Sequence, residues 1–151
     1  MTNRGFITGV SGLILNDAER EFIRAERPWG FILFKRNIES PAQVAALIGE
    51  LRKAAGMAEA PVLIDQEGGR VQRLGPPHWP VYPPGASFGA LYDIDPKLGL
   101  AAARLSSRLI AADLIDLGIS VDCLPLADVP VAGADAVIGN RSEERRVGKE
   151  C

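Results

Sequence analysis

Two short apolar runs with a well-punctuated helix between them restrict this chain to few folds. Residues 30–34 read Gly-Phe-Ile-Leu-Phe and residues 61–65 read Pro-Val-Leu-Ile-Asp. Each has the length and continuous apolarity of a strand buried on both faces. Between them, Ser40 is a good N-cap, Pro41 takes the first helical position and Gln43 completes a capping box. Val44, Leu47, Ile48 and Leu51 then recur at i, i+3, i+4, i+7 as one apolar face, and Gly56 is placed for a left-handed C-cap. A strand, a helix and a second buried strand make a βαβ unit, and that unit implies a parallel sheet.

The alternation extends in both directions. Residues 6–10, Phe-Ile-Thr-Gly-Val, form an earlier strand candidate, followed by a helix that Asn16 and Glu19 open as a capping box and Pro28 ends. Residues 73–92 hold Pro76, Pro77, Pro80, Pro83 and Pro84 and read as a long loop, of a length that is often functional. Asp95 and Pro96 cap a further helix with Leu98, Ala102, Leu105 and Leu109 on one face and Gly118 at its end. Residues 119–124 supply a fourth strand and residues 125–140 a second irregular stretch. The fold class is therefore α/β. Pattern alone does not separate an open sheet from a barrel, and a complete (β/α)8 barrel takes about 250 residues.

Composition removes several function classes. The 151 residues are 47% apolar, enough for one domain with a core. Seventeen basic and nineteen acidic residues give a net charge of −2, which offers no reason to expect nucleic acid or an anionic membrane as partner. Cys123 and Cys151 make no disulfide framework, no Cys/His spacing suits zinc, and a reducing cytoplasm is the default compartment. The apolar stretch after Arg4 is broken by Gly5, Gly9, Ser11 and Gly12 and lacks a cleavage site, so it does not read as a signal peptide, and no apolar run reaches membrane-spanning length. Residues 141–151 carry seven charges and, besides the cysteine, one apolar side chain. They read either as a solvated tail or, the preferred reading, as a string resembling a translated cloning remnant. The domain is expected to span residues 1–142, with 143–151 a non-native charged tail.

The chemistry centres on Asp65. It ends a buried strand and is followed by Gly68 and Gly69, and in parallel α/β folds that edge gathers active sites. Arg70 and Arg73 would share a face if the segment turned helical. A carboxylate with arginines nearby suits a polyol ligand. The plain alternative is a turn in which Asp65 pairs with one arginine. Asp65 and Glu67 are poorly placed as an acid/base pair, because catalytic carboxyls of glycosidases stand about 5–9.5 Å apart across the scissile bond. A phosphate site at Gly68-Gly69 lacks either nucleotide-binding glycine pattern.

Ile64-Asp65-Gln66-Glu67-Gly68-Gly69-Arg70-Val71-Gln72-Arg73 resembles the signature of bacterial family 3 glycoside hydrolases of the β-N-acetylhexosaminidase type, in particular those of peptidoglycan recycling. Four other blocks support it in order: Gly30-Phe31-Ile32-Leu33-Phe34-Lys35-Arg36-Asn37; Pro84-Gly85-Ala86-Ser87-Phe88-Gly89-Ala90-Leu91; Leu124-Pro125-Leu126-Ala127-Asp128-Val129; and Ile138-Gly139-Asn140-Arg141-Ser142. The resemblance covers about residues 5–142.

The resemblance implies the N-terminal half of a (β/α)8 barrel truncated after strand four. It implies retaining hydrolysis of terminal non-reducing N-acetylhexosamine residues, a GlcNAc-containing glycan or muropeptide as partner, and no cofactor or metal. Residues matching Asp65, Arg73 and Arg141 bind the sugar. The family's catalytic histidine loop and aspartate nucleophile have no counterpart here. His78, the only histidine, does not match that position, and Glu143 stands where the pattern wants an aromatic. The fragment is expected to be inactive and to aggregate through unpaired strand edges. The alternative is a non-catalytic sugar-binding or vestigial protein.

Overall fold

A computed structural model describes residues 3–128, 133 and 137–142. The proposed tail at 143–151 and Val129 lie outside the described residues. Strands β1 (Arg4–Thr8), β2 (Pro28–Leu33), β3 (Val62–Ile64) and β6 (Val121–Asp122) form one sheet in the order β1-β2-β3-β6, with every neighbouring pair parallel. Helices α1 (Asp17–Glu26), α2 (Pro41–Ala55) and α4 (Pro96–Leu117) make the crossovers. Between β3 and α4 the chain inserts an antiparallel hairpin, β4 (Gln66–Gly68) with β5 (Val71–Gln72), and a helix α3 (Gly85–Ile94). The α/β parallel architecture is thus the expected one. No helix among the described residues is long and apolar enough to cross a membrane.

Local chemistry sets the boundaries. The Asn16 side chain accepts from the Glu19 N–H and the Glu19 carboxylate accepts from the Asn16 N–H, so the capping box of α1 is complete. Arg27 then takes a left-handed conformation (φ 50°) and turns the chain into β2, which starts at Pro28, two residues before the apolar run. β1 likewise lies two residues earlier than expected. By Val10 the chain has left the sheet, and the Val10 carbonyl accepts instead from Arg36 and Asn37. Asn37 is fully buried, also donates to the Gly12 carbonyl and accepts from the Phe34 N–H, so it ties the β1–α1 loop to the end of β2.

On α2, Ser40 accepts from the Gln43 N–H, but Gln43 does not close the box on Ser40. Its amide accepts from Glu39 N–H in place of the Ser40 N–H and donates to the Leu13 and Asn37 carbonyls, backbone acceptors that it satisfies. Val44, Leu47, Ile48 and Leu51 are all buried, as their spacing predicts. With Phe31, Leu33, Val62, Ile64, Ile110, Leu114 and Leu117 they make the core between the sheet and its helices.

Two further expectations change. The long loop at 73–92 is irregular only to Pro84, where α3 begins. The stripe expected to bury α4 is the wrong one: Leu98, Leu105 and Leu109 are at least half exposed, while Gly99, Ile110, Leu114 and Leu117 face inward. The cause is α3, which crosses α4 so tightly at Gly99 that a Cβ there would lie 2.5 Å from the Tyr92 Cα.

Candidate functional site

Parallel register brings the C-terminal ends of β3 and β6 together. Ile64 lies beside Asp122, so Asp65, Asp122 and Cys123 emerge at one edge. Asp65 accepts from Arg73 Nη2 at 2.5 Å, with both side chains about one-quarter exposed. The plain alternative weighed above, an arginine-paired Asp65, is therefore what the structure contains. It does not close the site, because Asp65 and Arg73 remain open to solvent at the rim.

The hairpin supplies the rest. Gly68 and Gly69 have φ of +86° and +58°, and a Cβ on Gly68 would lie 2.3 Å from the Pro83 carbonyl oxygen. The segment is a tight turn and not a helix, so Arg70 and Arg73 do not share a face. Arg73 reaches Asp65, whereas Arg70 donates to the Val137 carbonyl. Gln66, fully buried, accepts from the Arg73 and Leu74 N–H groups and donates to the Leu74 carbonyl. Gln72 donates to Leu74 and Pro80 carbonyls and accepts from Tyr82 N–H. These amides satisfy the backbone of a proline-rich segment that has no ladder of its own, and so fix Arg73. Tyr82 donates to Asp113 at 2.6 Å, and burial together with that carboxylate pushes its phenol up to about 12.

Arg141, the third expected sugar ligand, lies across the hairpin on Glu67. Its Nε and Nη2 reach the two carboxylate oxygens at 2.9 and 2.6 Å. The Glu67 side chain is 6% exposed. The hydrogen bond to Glu67 raises the Arg141 pKa against the opposing effect of burial, with further help from the negative fields of Glu67, Asp128 and Asp65. A cleft of about 460 Å3 opens beyond this pair, lined by apolar groups such as Phe88, Tyr92, Leu100 and Leu124. Neither Asp65 nor Arg73 lines it.

Two groups at the rim escaped sequence reasoning. Asp122 accepts from the Gln66 N–H at 3.0 Å. Burial, then the charges of Asp65 and Glu67, raise its pKa to about 6 despite that hydrogen bond. Cys123 hydrogen-bonds Asp65, and burial followed by that carboxylate's field pushes its thiol up. The available signal was a carboxylate within an apolar run, in register with the strand that ends at Asp65. His78 lies in the proline-rich loop, exposed and edge-on to Trp79.

The arrangement offers acceptors (Asp65, Asp122) and a donor (Arg73) at the carboxyl edge of a parallel sheet, with Arg141 anchored beside them. That is hardware for holding a neutral polyhydroxylated ligand. Residues 8–147 match the model for the glycosyl hydrolase family 3 N terminal domain. The chain is 38% identical over 136 residues to a β-hexosaminidase of Xanthomonas campestris pv. campestris (strain B100), covering 90% of this chain and 40% of that protein. Among solved structures, NagZ from Neisseria gonorrhoeae in complex with zinc ion superposes with a TM-score of 0.82 at 29% identity, over 93% of this chain and 42% of that one. The same protein in complex with N-trifluoroacetyl-D-glucosamine gives a TM-score of 0.81 at 28% identity, over 92% and 41%. The chain spans about two-fifths of the length of the curated relatives it matches. Its sheet and helices correspond to the N-terminal part of the NagZ fold. The chain belongs to glycosyl hydrolase family 3 and carries that family's N terminal domain.

Proposed function

We propose that this chain is the sugar-recognition part of a β-N-acetylhexosaminidase that removes terminal non-reducing N-acetylhexosamine with retention of configuration. Asp65 accepts from sugar hydroxyls, and Arg73 and Arg141 donate to the ligand. The observation that carries the reading is the Asp65–Arg73 pair, held open at the carboxyl edge of the sheet by the buried Gln66 amide. Ligands in parallel α/β folds bind at that edge. We further propose a GlcNAc-containing glycan or muropeptide as substrate and a role in cytoplasmic peptidoglycan recycling. The 151-residue chain itself performs recognition without hydrolysis, since its one histidine, His78, is an exposed residue of the proline-rich loop, edge-on to Trp79, and is not a residue of the Asp65 rim.

Fluorine NMR with N-trifluoroacetyl-D-glucosamine tests this. The wild-type chain should broaden the ligand signal, and Asp65→Ala should weaken binding by roughly tenfold or more, since it leaves donors unpaired. A chromogenic N-acetylglucosaminide should not turn over. Equal binding by Asp65→Ala would remove Asp65 from the site, and turnover by this chain would show that it holds its own catalytic pair.

A further inference from the structure

Arg141 is far from the hairpin in sequence, yet two contacts fasten its segment there and a third holds it against the start of α3. Its guanidinium forks onto Glu67 through two hydrogen bonds. Arg70, three residues on from Glu67, donates to the Val137 carbonyl. Gly85 packs so closely that a Cβ on it would lie 2.4 Å from the Arg141 carbonyl oxygen. The short turn Gly139–Arg141 is therefore strapped across the hairpin at both ends.

We infer that Glu67 is the positioning residue for Arg141: it takes no part in bond breaking, but its buried carboxylate engages Nε and Nη2, fixes the guanidinium at the cleft that both residues line, and leaves Nη1 outside the fork. This rests on the proposed role of Arg141 in sugar binding. A planar fork on a carboxylate holds both the position and the plane of the guanidinium, which a single hydrogen bond does not. Glu67 is suited to this because burial keeps water from competing for its oxygens. A free arginine would lose rotamer freedom on binding a sugar, and one already clamped has lost it beforehand. The same hairpin thus serves both expected arginines. Asp65 and Arg73 flank it and pair across its base, and Glu67 takes Arg141 from outside it.

The test is a double-mutant cycle on the 151-residue chain, read by fluorine NMR titration of N-trifluoroacetyl-D-glucosamine, with thermal melting of each variant. Glu67→Gln and Arg141→Ala should each weaken binding by roughly tenfold, the value of one charge-assisted hydrogen bond. Adding Glu67→Gln to Arg141→Ala should weaken it no further, because Glu67 acts only through Arg141. Arg141→Lys keeps Glu67 intact and loses the fork. It should show the same loss, which keeps the inference testable if Glu67→Gln folds poorly. Binding by Glu67→Gln or Arg141→Lys equal to wild type would overturn the inference, as would a Glu67→Gln loss that persists without Arg141. A wild-type chain that binds no sugar overturns the functional reading and the inference together. One that loses binding on Asp65→Ala and ignores Glu67→Gln overturns the inference alone.

Discussion

Helices α2 and α4 do the same topological job, each leading into a strand of the sheet, but they are covered to different degrees. α2 has one apolar stripe, and that stripe is buried throughout. α4 is apolar on more than one side. Its Gly99, Ile110, Leu114 and Leu117 face inward, while Leu98, Leu100, Leu105, Leu109 and Ile115 are exposed. Stability should therefore be concentrated around α2 and the strands it bridges. α4 contributes through its inner face and presents an apolar outer one, a surface of the kind that mediates association.

Point substitutions can break this comparison. Leu51→Ala removes a fully buried side chain from α2 and should cost about 3 kcal/mol. Leu105→Ala in α4 should change stability by less than about 0.5 kcal/mol. Urea denaturation measures both, and similar losses would show that the outer face of α4 is packed in solution. A second pair separates backbone strain from crowding at the hairpin. Gly56 ends α2 at φ +64° with open space around it, and Gly56→Ala should cost about 1 kcal/mol. Gly68 has a similar φ but would place its Cβ 2.3 Å from the Pro83 carbonyl oxygen, so Gly68→Ala should cost about 2 kcal/mol or more. Equal melting temperatures for the two variants would mean that the loop from Pro80 to Pro84 yields freely.

The same contrast explains how much of the molecule was legible in the sequence. From Asn16 to Ile64 the local signals largely agreed: the capping box at Asn16, the single stripe of α2 and the left-handed Gly56 stand as their residues predict, and the exception is the Ser40–Gln43 box, whose Gln43 amide pairs with Glu39, Leu13 and Asn37 instead. Sequence periodicity failed on α4 because several stripes were apolar, and the buried one begins with a small residue, Gly99, whose value is close approach and not hydrophobicity. It failed on α3 because Pro84, Gly85 and Gly89 lower helix propensity, which contact with α4 overrides. At the site, Asp65 was legible as a carboxylate ending a buried strand. The partner of Glu67 was not, since Arg141 lies 74 residues away and nothing local specifies a pairing across that distance. The membership of Asp122 was missed because its neighbours Val121 and Cys123 made it look like an interruption in a strand.

Asp122 sharpens the comparison at its smallest scale, since it lies where the α4–β6 unit meets the Asp65 rim. Its folded-state pKa of about 6 lies above the ordinary value of 3.8. The native state therefore holds a proton that the unfolded chain has released. That contribution is complete below about pH 4 and is lost as pH rises through about 6, so wild-type stability should fall across that window. Asp122→Asn keeps an oxygen to accept from the Gln66 N–H and carries no charge beside Asp65 and Glu67. Partial solvent exposure screens the effect, so the variant should gain on the order of 1 kcal/mol over wild type at pH 8 and nothing at pH 4. Melting curves at the two pH values measure the difference. A gain that is the same at both would assign it to packing, and a loss at pH 8 would mean that the charged carboxylate is a better partner for the Gln66 N–H than the crowding of Asp65, Glu67 and Asp122 allows.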